Sequence, residues 1–194
     1  MKLFDLFAEL LSYPRPGLVA TARECEALVA PDNPEAAALL HAFAAFAAKT
    51  PPGRLEELYT AAFDLDAACS LYVGYHLLGE SYKRSVFMLE LKRCYEAQGL
   101  DVGSELPDHL ALVLRFLARC DDAALAEELV TEALVPALEK RLGRRKGSEE
   151  DGDEGAEVPE QPHPYLGLLQ ALVLVLQRQP QAVGSVSEGG RSHD

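Results

Sequence analysis

The 194-residue chain lacks the sequence features that mark several common classes of protein. Its four cysteines are scattered, without a CxxC pair or nearby paired histidines, a spacing that fits neither a zinc site nor a secreted disulfide framework. No apolar run approaches the length of a membrane span, and the opening LFDLFAELL is too short and too polar for a signal peptide. We therefore predict a cytoplasmic protein with reduced thiols and no direct membrane insertion.

Recognisable catalytic motifs are also missing. The chain has no nucleophile elbow, P-loop, dinucleotide-binding glycine pattern or HExxH sequence. His76 and Glu80 could form half of a metal site, but Gly79 lies between them and no second pair of ligands accompanies them. We predict no catalytic residue, no metal and no bound cofactor.

Basic residues are scarce. The chain has 18 lysines and arginines against 31 acidic residues, which gives a net charge of −13. Seven of the acids lie between Glu149 and Glu160, and the rest of the chain is still acidic. This balance argues against binding of nucleic acid, whose phosphates require cationic surfaces, and suits a basic partner.

Alternating apolar and polar residues, which would indicate strands, are absent, and apolar residues recur with helical spacing throughout. The sequence predicts an all-α, single-domain bundle of about eight or nine helices. Prolines and glycines divide these helices. The predicted breaks lie at residues 13–14, 31, 51–53, 79, 99 and 143.

Polar residues in suitable positions predict the starts of several helices. Asn33, Ser81 and either Asp121 or Asp122 can each cap a helix, and Pro136 is expected to kink the last of these three helices. A final apolar helix begins at Pro164 and should pack into the same core.

We predict one all-helical domain over residues 1–179. Within it, residues 144–162 are rich in charge and glycine and have almost no large apolar side chain, which predicts a solvated, disordered acidic loop. Residues 180–194 are predicted to form a flexible tail.

The segment ELPDHLALVLRFL, from Glu105 to Leu117, combines polar chemistry with a clear helical pattern. Pro107 suits the first helical position, and Asp108 would then lie in the first turn, where the helix dipole favours a negative charge. By this pattern alone, His109 is a polar residue beside the helix start with no special role. The segment thus predicts a helix start and offers two candidate functional side chains.

Two further features have a structural and a functional interpretation. Tyr59 and Phe63 belong to an aromatic group that predicts a core, although such residues can also line a groove for a partner helix. Glu80 and Arg84 are four residues apart, and this spacing predicts a surface ion pair.

The order of motifs resembles a known family. The chain contains FDL at 63–65, GES followed by Arg84, Gly99-Leu100, and LPDHL at 106–110. Over 59–117 this series resembles the NarJ branch of the TorD-like chaperones that assemble molybdenum oxidoreductases. The resemblance implies an all-helical chaperone for the catalytic subunit of a respiratory nitrate reductase, the alpha chain. The chaperone would keep that subunit competent for insertion of the molybdenum cofactor before membrane attachment.

The resemblance also implies a client-binding site. In the wider family the acid and histidine of LPDHL are associated with binding of the client's basic N-terminal leader, a role that falls here on Asp108 and His109. The predicted site extends to their neighbours and to the motif and aromatic residues. These residues are Leu106, Pro107, Tyr59, Phe63, Glu80 and Arg84.

Alternatives stay open at this point. The client could be another molybdoenzyme of the dimethyl sulfoxide reductase type. The protein could instead be a small helical enzyme that uses Asp108 and His109 as an acid–base pair, or a structural subunit of a larger complex. Both a monomer and a homodimer fit the sequence.

Overall fold

A computed structural model describes residues 2–65, 70–150 and 163–178, and within these ranges the regular structure is helical. The elements are α1 (Lys2–Leu10), α2 (Leu18–Val29), α3 (Pro34–Lys49), α4 (Pro52–Phe63), α5 (Val73–Leu78), α6 (Tyr82–Ala97), α7 (Leu110–Arg119), α8 (Ala123–Glu128), a π-helical segment (Leu129–Leu134), α9 (Val135–Glu150) and α10 (Pro164–Gln177). Since α8, the π-helical segment and α9 follow without interruption, the described residues form nine continuous helices. The predicted all-α bundle is confirmed.

Several helix ends fall where local chemistry predicts them. Asn33 accepts a backbone N–H bond of 3.1 Å at the start of α3, and Ser81 accepts one of 3.4 Å at the start of α6. Asp122 accepts two, of 3.1 and 3.0 Å, at the start of α8. Gly79 and Gly99 end α5 and the α6 region with φ near +63° and +64°, a conformation that favours glycine.

The core lies between α3, α10 and the N-terminal helices. Helix α3 packs against α2 and α10, α1 packs against α2 and α7, and α9 contacts both α5 and α10. Eight of the 14 residues of α10 are buried, so this helix lies inside the bundle as its apolar sequence predicts.

Helix α9 corrects the predicted boundary of the acidic loop. Its backbone stays helical through residues 144–150, where the sequence predicted a loop. Arginine, lysine and glutamate are good helix formers, so a lack of apolar residues does not exclude a helix. Residues 151–162 of the predicted loop and the predicted tail from residue 180 lie outside the described residues.

A π-helical segment, Leu129–Leu134, immediately precedes α9, whose second residue is Pro136, where the sequence predicts a kink. A proline inside a helix has no N–H to donate, and its ring would clash with the carbonyl of the preceding turn. Proline and a π-helical turn are each known causes of helix kinks.

Candidate functional site

Helix α7 begins later than its sequence predicts. Its first helical residue is Leu110, and His109 is the N-cap, with its Nδ1 accepting the N–H of Ala111 at 3.3 Å. Pro107 and Asp108 precede the helix, so their predicted places at the first position and in the first turn are wrong.

Tertiary hydrogen bonds explain the late start. The N–H of Val73 donates to the carbonyl of Asp108 at 2.9 Å, and the N–H of Leu110 donates to the carbonyl of Leu71 at 2.8 Å. These bonds form an isolated antiparallel bridge between Tyr72 and His109. The bridge holds this stretch extended instead of helical.

Asp108 is fully buried and forms an ion pair with Arg84. The Nε of Arg84 donates to one carboxylate oxygen at 2.8 Å, and its Nη2 donates to the other at 3.3 Å. The arginine side chain is itself only 14% exposed. The predicted surface pair between Glu80 and Arg84 is therefore wrong: the arginine turns inward to Asp108, and Glu80 is exposed.

Aromatic rings and a glycine pack closely around the ion pair of Arg84 and Asp108. The Arg84 guanidinium carbon lies 5.6 Å from the ring centroid of Tyr72 and 5.7 Å from that of Tyr75, within cation–π range. A Cβ added at Gly74 would lie 2.7 Å from the Asp108 carboxylate and 3.1 Å from the ring of Phe87. Only glycine at position 74 leaves room for the pair.

His109 faces a different environment, an open cleft of about 420 Å³. Three acids and two arginines lie among apolar and aromatic residues in its lining. The cleft is lined by Ser12, Tyr13, Arg15, Tyr59, Phe63, Asp64, Leu71, Tyr72, Asp101, Val102, Gly103, Glu105, His109, Ala111, Leu112 and Arg115. It can therefore offer apolar contact and both signs of charge to a ligand.

The electrostatics of the cleft favour a neutral His109. Burial lowers the pKa of His109, and the acids Glu105, Asp108 and Asp64 oppose this effect while Arg115 adds to it. Because Nδ1 accepts the N–H of Ala111, the neutral imidazole carries its proton on Nε2. The ring therefore caps α7 only while it is uncharged.

Tyr72 forms a hydrogen bond to one of the acids that line the cleft, Glu105. Its hydroxyl donates to Glu105 Oε1 at 2.9 Å. Burial, together with this bond to Glu105, raises the pKa of Tyr72 to about 12. Burial also raises the pKa of Asp64, an effect that Glu105 reinforces and that His109 reduces when it is protonated. Charge on the acids is thus coupled to the histidine.

Tyr59 and Phe63 line the cleft with part of their surface but belong mainly to the core. Their rings lie 5.0 Å apart and contact Tyr165 at 5.6 and 5.4 Å, and the Tyr59 hydroxyl donates to the carbonyl of Leu11. For Tyr59 and Phe63 the core interpretation is confirmed, because both side chains are buried.

The remaining predicted residues lie outside the cleft lining. Leu106 is 43% exposed, and the carbonyl of Pro107 accepts the Tyr95 hydroxyl at 2.8 Å. Sequence reasoning missed Arg115, which lines the cleft and donates to Ser12 at 3.2 Å. Its signal was a single charge inside the apolar stretch LALVLRFL.

The geometry does not assemble an acid–base pair. The carboxylate of Asp108 faces Arg84, whereas the imidazole of His109 accepts a backbone N–H, so the two adjacent side chains do not bond each other. His76 is buried, with its Nε2 2.8 Å from the carbonyl oxygen of Ser70, whereas Glu80 is exposed. In the described part of the chain, no cluster of three or more candidate metal ligands occurs.

A search of the described helices finds none with both the length and the apolar character needed to cross a membrane.

Comparisons with known proteins identify relatives of this chain. The family model of the nitrate reductase delta subunit matches residues 29–145, which include the LPDHL segment. The nitrate reductase molybdenum cofactor assembly chaperone NarJ of Escherichia coli K12 is 35% identical over 146 residues, 73% of this chain and 62% of that protein. A Bacillus subtilis protein provisionally given the same name is 34% identical over 121 residues, 61% of this chain and 65% of that protein. The alignments thus span less than two thirds of either relative.

A solved structure supports the fold independently. The crystal structure of a candidate redox enzyme maturation protein from Archaeoglobus fulgidus matches with a TM-score of 0.52 and 20% identity. The match covers 90% of this chain and 92% of that one. At this identity, the likeness shows the shared helical fold alone.

Proposed function

The chain belongs to the nitrate reductase delta subunit family, and from this membership we propose that it is an assembly chaperone for a respiratory nitrate reductase. It binds the N-terminal leader region of the catalytic alpha chain in the cytoplasm. It keeps that subunit competent for insertion of the molybdenum cofactor before membrane attachment. It acts by binding and release, without turnover.

The observation that carries the proposal is the cleft beside His109. Its aromatic and aliphatic lining can receive an apolar anchor of a peptide, and Asp64, Asp101 and Glu105 can attract basic residues that flank such an anchor. The net charge of −13 adds a long-range attraction for a basic leader.

Within this proposal the predicted binding residues have different roles. His109 contacts the leader directly, with Tyr59 and Phe63 as the apolar floor of the cleft. Leu106, Pro107 and Glu80 supply nearby surface outside the cleft lining. The carboxylate of Asp108 is fully buried. Asp108 and its partner Arg84 therefore stabilise the site without contacting the leader.

A peptide-binding measurement tests the proposal. A fluorescent synthetic peptide with the leader sequence of the nitrate reductase alpha chain from the same organism is titrated at low and high salt. We expect binding that weakens as salt rises, because the attraction between acidic cleft and basic peptide is screened. A leader from a dimethyl sulfoxide reductase-type enzyme tests the alternative client, and light scattering distinguishes monomer from homodimer.

Two histidine variants make the test specific to the cleft. His109→Gln should weaken leader binding by about tenfold, the equivalent of one lost polar contact in a partly buried site. The matched control, His41→Gln, changes an exposed histidine paired with Glu26 away from the cleft and should leave binding unchanged. Absence of leader binding, or equal effects of both variants, would contradict the proposed site.

A further inference from the structure

We propose that Arg84 is a positioning residue for the cleft, which acts through Tyr72 on the two polar groups that Tyr72 touches, Glu105 and His109. Arg84 itself is absent from the cleft lining, and this inference rests on the proposed function of the cleft as a peptide site. The sequence analysis predicted Arg84 as a surface partner of Glu80 and as a contact for the client.

The first step is that Arg84 has a fixed position. Both oxygens of Asp108 accept bonds from its guanidinium, and such a two-point contact fixes the plane of the group as well as its location. The backbone of Asp108 is held in turn by the N–H of Val73. The guanidinium is therefore a rigid element of the fold.

The second step is that this rigid group packs on Tyr72 and Tyr75. The Arg84 guanidinium carbon lies 5.6 and 5.7 Å from the two ring centroids. A cation at this distance is attracted to the face of an aromatic ring, most strongly where water is excluded. The contact restricts the orientation of the Tyr72 ring.

The third step is that Tyr72 forms part of the cleft wall. Its ring centroid lies 5.5 Å from that of His109 in an edge-to-face arrangement, and its hydroxyl donates to Glu105 at 2.9 Å. Tyr72, Glu105 and His109 all line the cleft. A change in the Tyr72 ring therefore moves the donors and acceptors that a peptide would meet.

A purely structural role for the ion pair predicts a different outcome, because it would affect binding only through stability. Replacing both partners of a buried ion pair by apolar residues of similar volume often restores stability. The double variant Arg84→Met with Asp108→Leu therefore separates the two roles. It removes the cation beside Tyr72 while leaving no unpaired buried charge.

The experiment compares Arg84→Met, the double variant and Arg84→Lys with the wild type. Urea unfolding gives stability, the fluorescent leader peptide gives affinity, and NMR of tyrosine- and histidine-labelled protein gives the Tyr72–His109 ring contact. The matched control is Arg93→Met on the same helix, where the arginine forms an exposed pair with Glu90 at 2.7 Å. The control should change none of the three measurements appreciably.

We expect Arg84→Met to lose stability and leader affinity, and the double variant to regain stability while its affinity stays about tenfold below the wild type. The ring contact should weaken in both. Arg84→Lys keeps the charge without the two-point contact and should lose part of the ring contact even if the double variant fails to fold.

Two results would overturn the inference: a double variant that binds like the wild type, or a Tyr72–His109 contact unchanged in folded Arg84 variants. If the wild-type protein binds no leader, the proposed function fails, and the ring contact still decides whether Arg84 positions Tyr72.

Discussion

Asp108 and His109 are adjacent in the chain but belong to two contrasting regions of the molecule. The Asp108 side chain is fully buried beside Arg84, whereas His109 is half-buried in an open cleft. The bridge with Tyr72 keeps this stretch extended, and side chains alternate sides along extended backbone. One residue therefore supports the fold while its neighbour is available to a ligand.

The largest expected effect comes from breaking the buried region. Asp108→Asn leaves the Arg84 cation buried without its counter-charge and should reduce the free energy of unfolding by about 3 kcal/mol. The control Asp5→Asn removes an exposed contact with Arg119 at 3.5 Å and should cost less than about 1 kcal/mol. Urea unfolding measures both, and equal losses would contradict the contrast.

Gly74→Ala should also destabilise the buried region. The added Cβ would lie 2.7 Å from a carboxylate oxygen that the ion pair holds in place, so we expect a loss of about 1–3 kcal/mol from overpacking. Gly143→Ala is the control, since nothing lies within 4 Å of its added Cβ. There the better helix propensity of alanine should stabilise by roughly 0.5–1 kcal/mol. Thermal unfolding should show opposite signs.

Changes on the cleft side should be smaller. His109→Ala removes the cap of α7 and should cost about 1 kcal/mol, because the N–H of Ala111 loses its acceptor. His109→Asn offers another side-chain acceptor at the cap and should stay within a few tenths of a kcal/mol of the wild type. Denaturant unfolding checks both variants, and a loss as large as that of Asp108→Asn would show that the two regions do not differ.

The smallest expected effect is a pH dependence from His109. Burial lowers the pKa of His109 in the folded protein, whereas in the unfolded chain the same imidazole is protonated at about pH 6.5. This contribution to stability is complete above that pH and is lost as pH falls toward the lowered folded pKa.

Unfolding is therefore measured at about pH 7.5 and about pH 5.5, on either side of the ordinary histidine pKa. Between these two pH values, the free energy of unfolding should fall more for the wild type than for His109→Asn. His41→Asn controls for the number of histidines and should behave like the wild type. An identical pH response in wild type and His109→Asn would mean that the cleft does not keep the imidazole neutral.

Local chemistry made much of the fold predictable. Asn33, Ser81 and Asp122 cap the helices that the sequence assigned to them, and Gly79 and Gly99 adopt positive φ angles at helix ends. Each of these features depends on neighbours within a few residues, so a pattern in the sequence contains all the necessary information.

The candidate site was less predictable, because local rules gave a sufficient but wrong account of its residues. A proline followed by an acid satisfies the usual start of a helix, and this account placed Asp108 in the first turn of α7. The competing interaction with Arg84, 24 residues earlier in the chain, proved decisive. Likewise, Glu80 lies at helical spacing from Arg84 but does not hold it.

The sequence by itself determined the all-helical class, most helix boundaries and the LPDHL motif of the candidate site, because spacing and capping are short-range properties. Only the tertiary structure decided which side chain of that motif is buried and which lines the cleft. A buried carboxylate is stable only where a cation reaches it with well-aligned hydrogen bonds. That condition depends on how α5 and α6 pack beside residues 107–110, which no local pattern specifies.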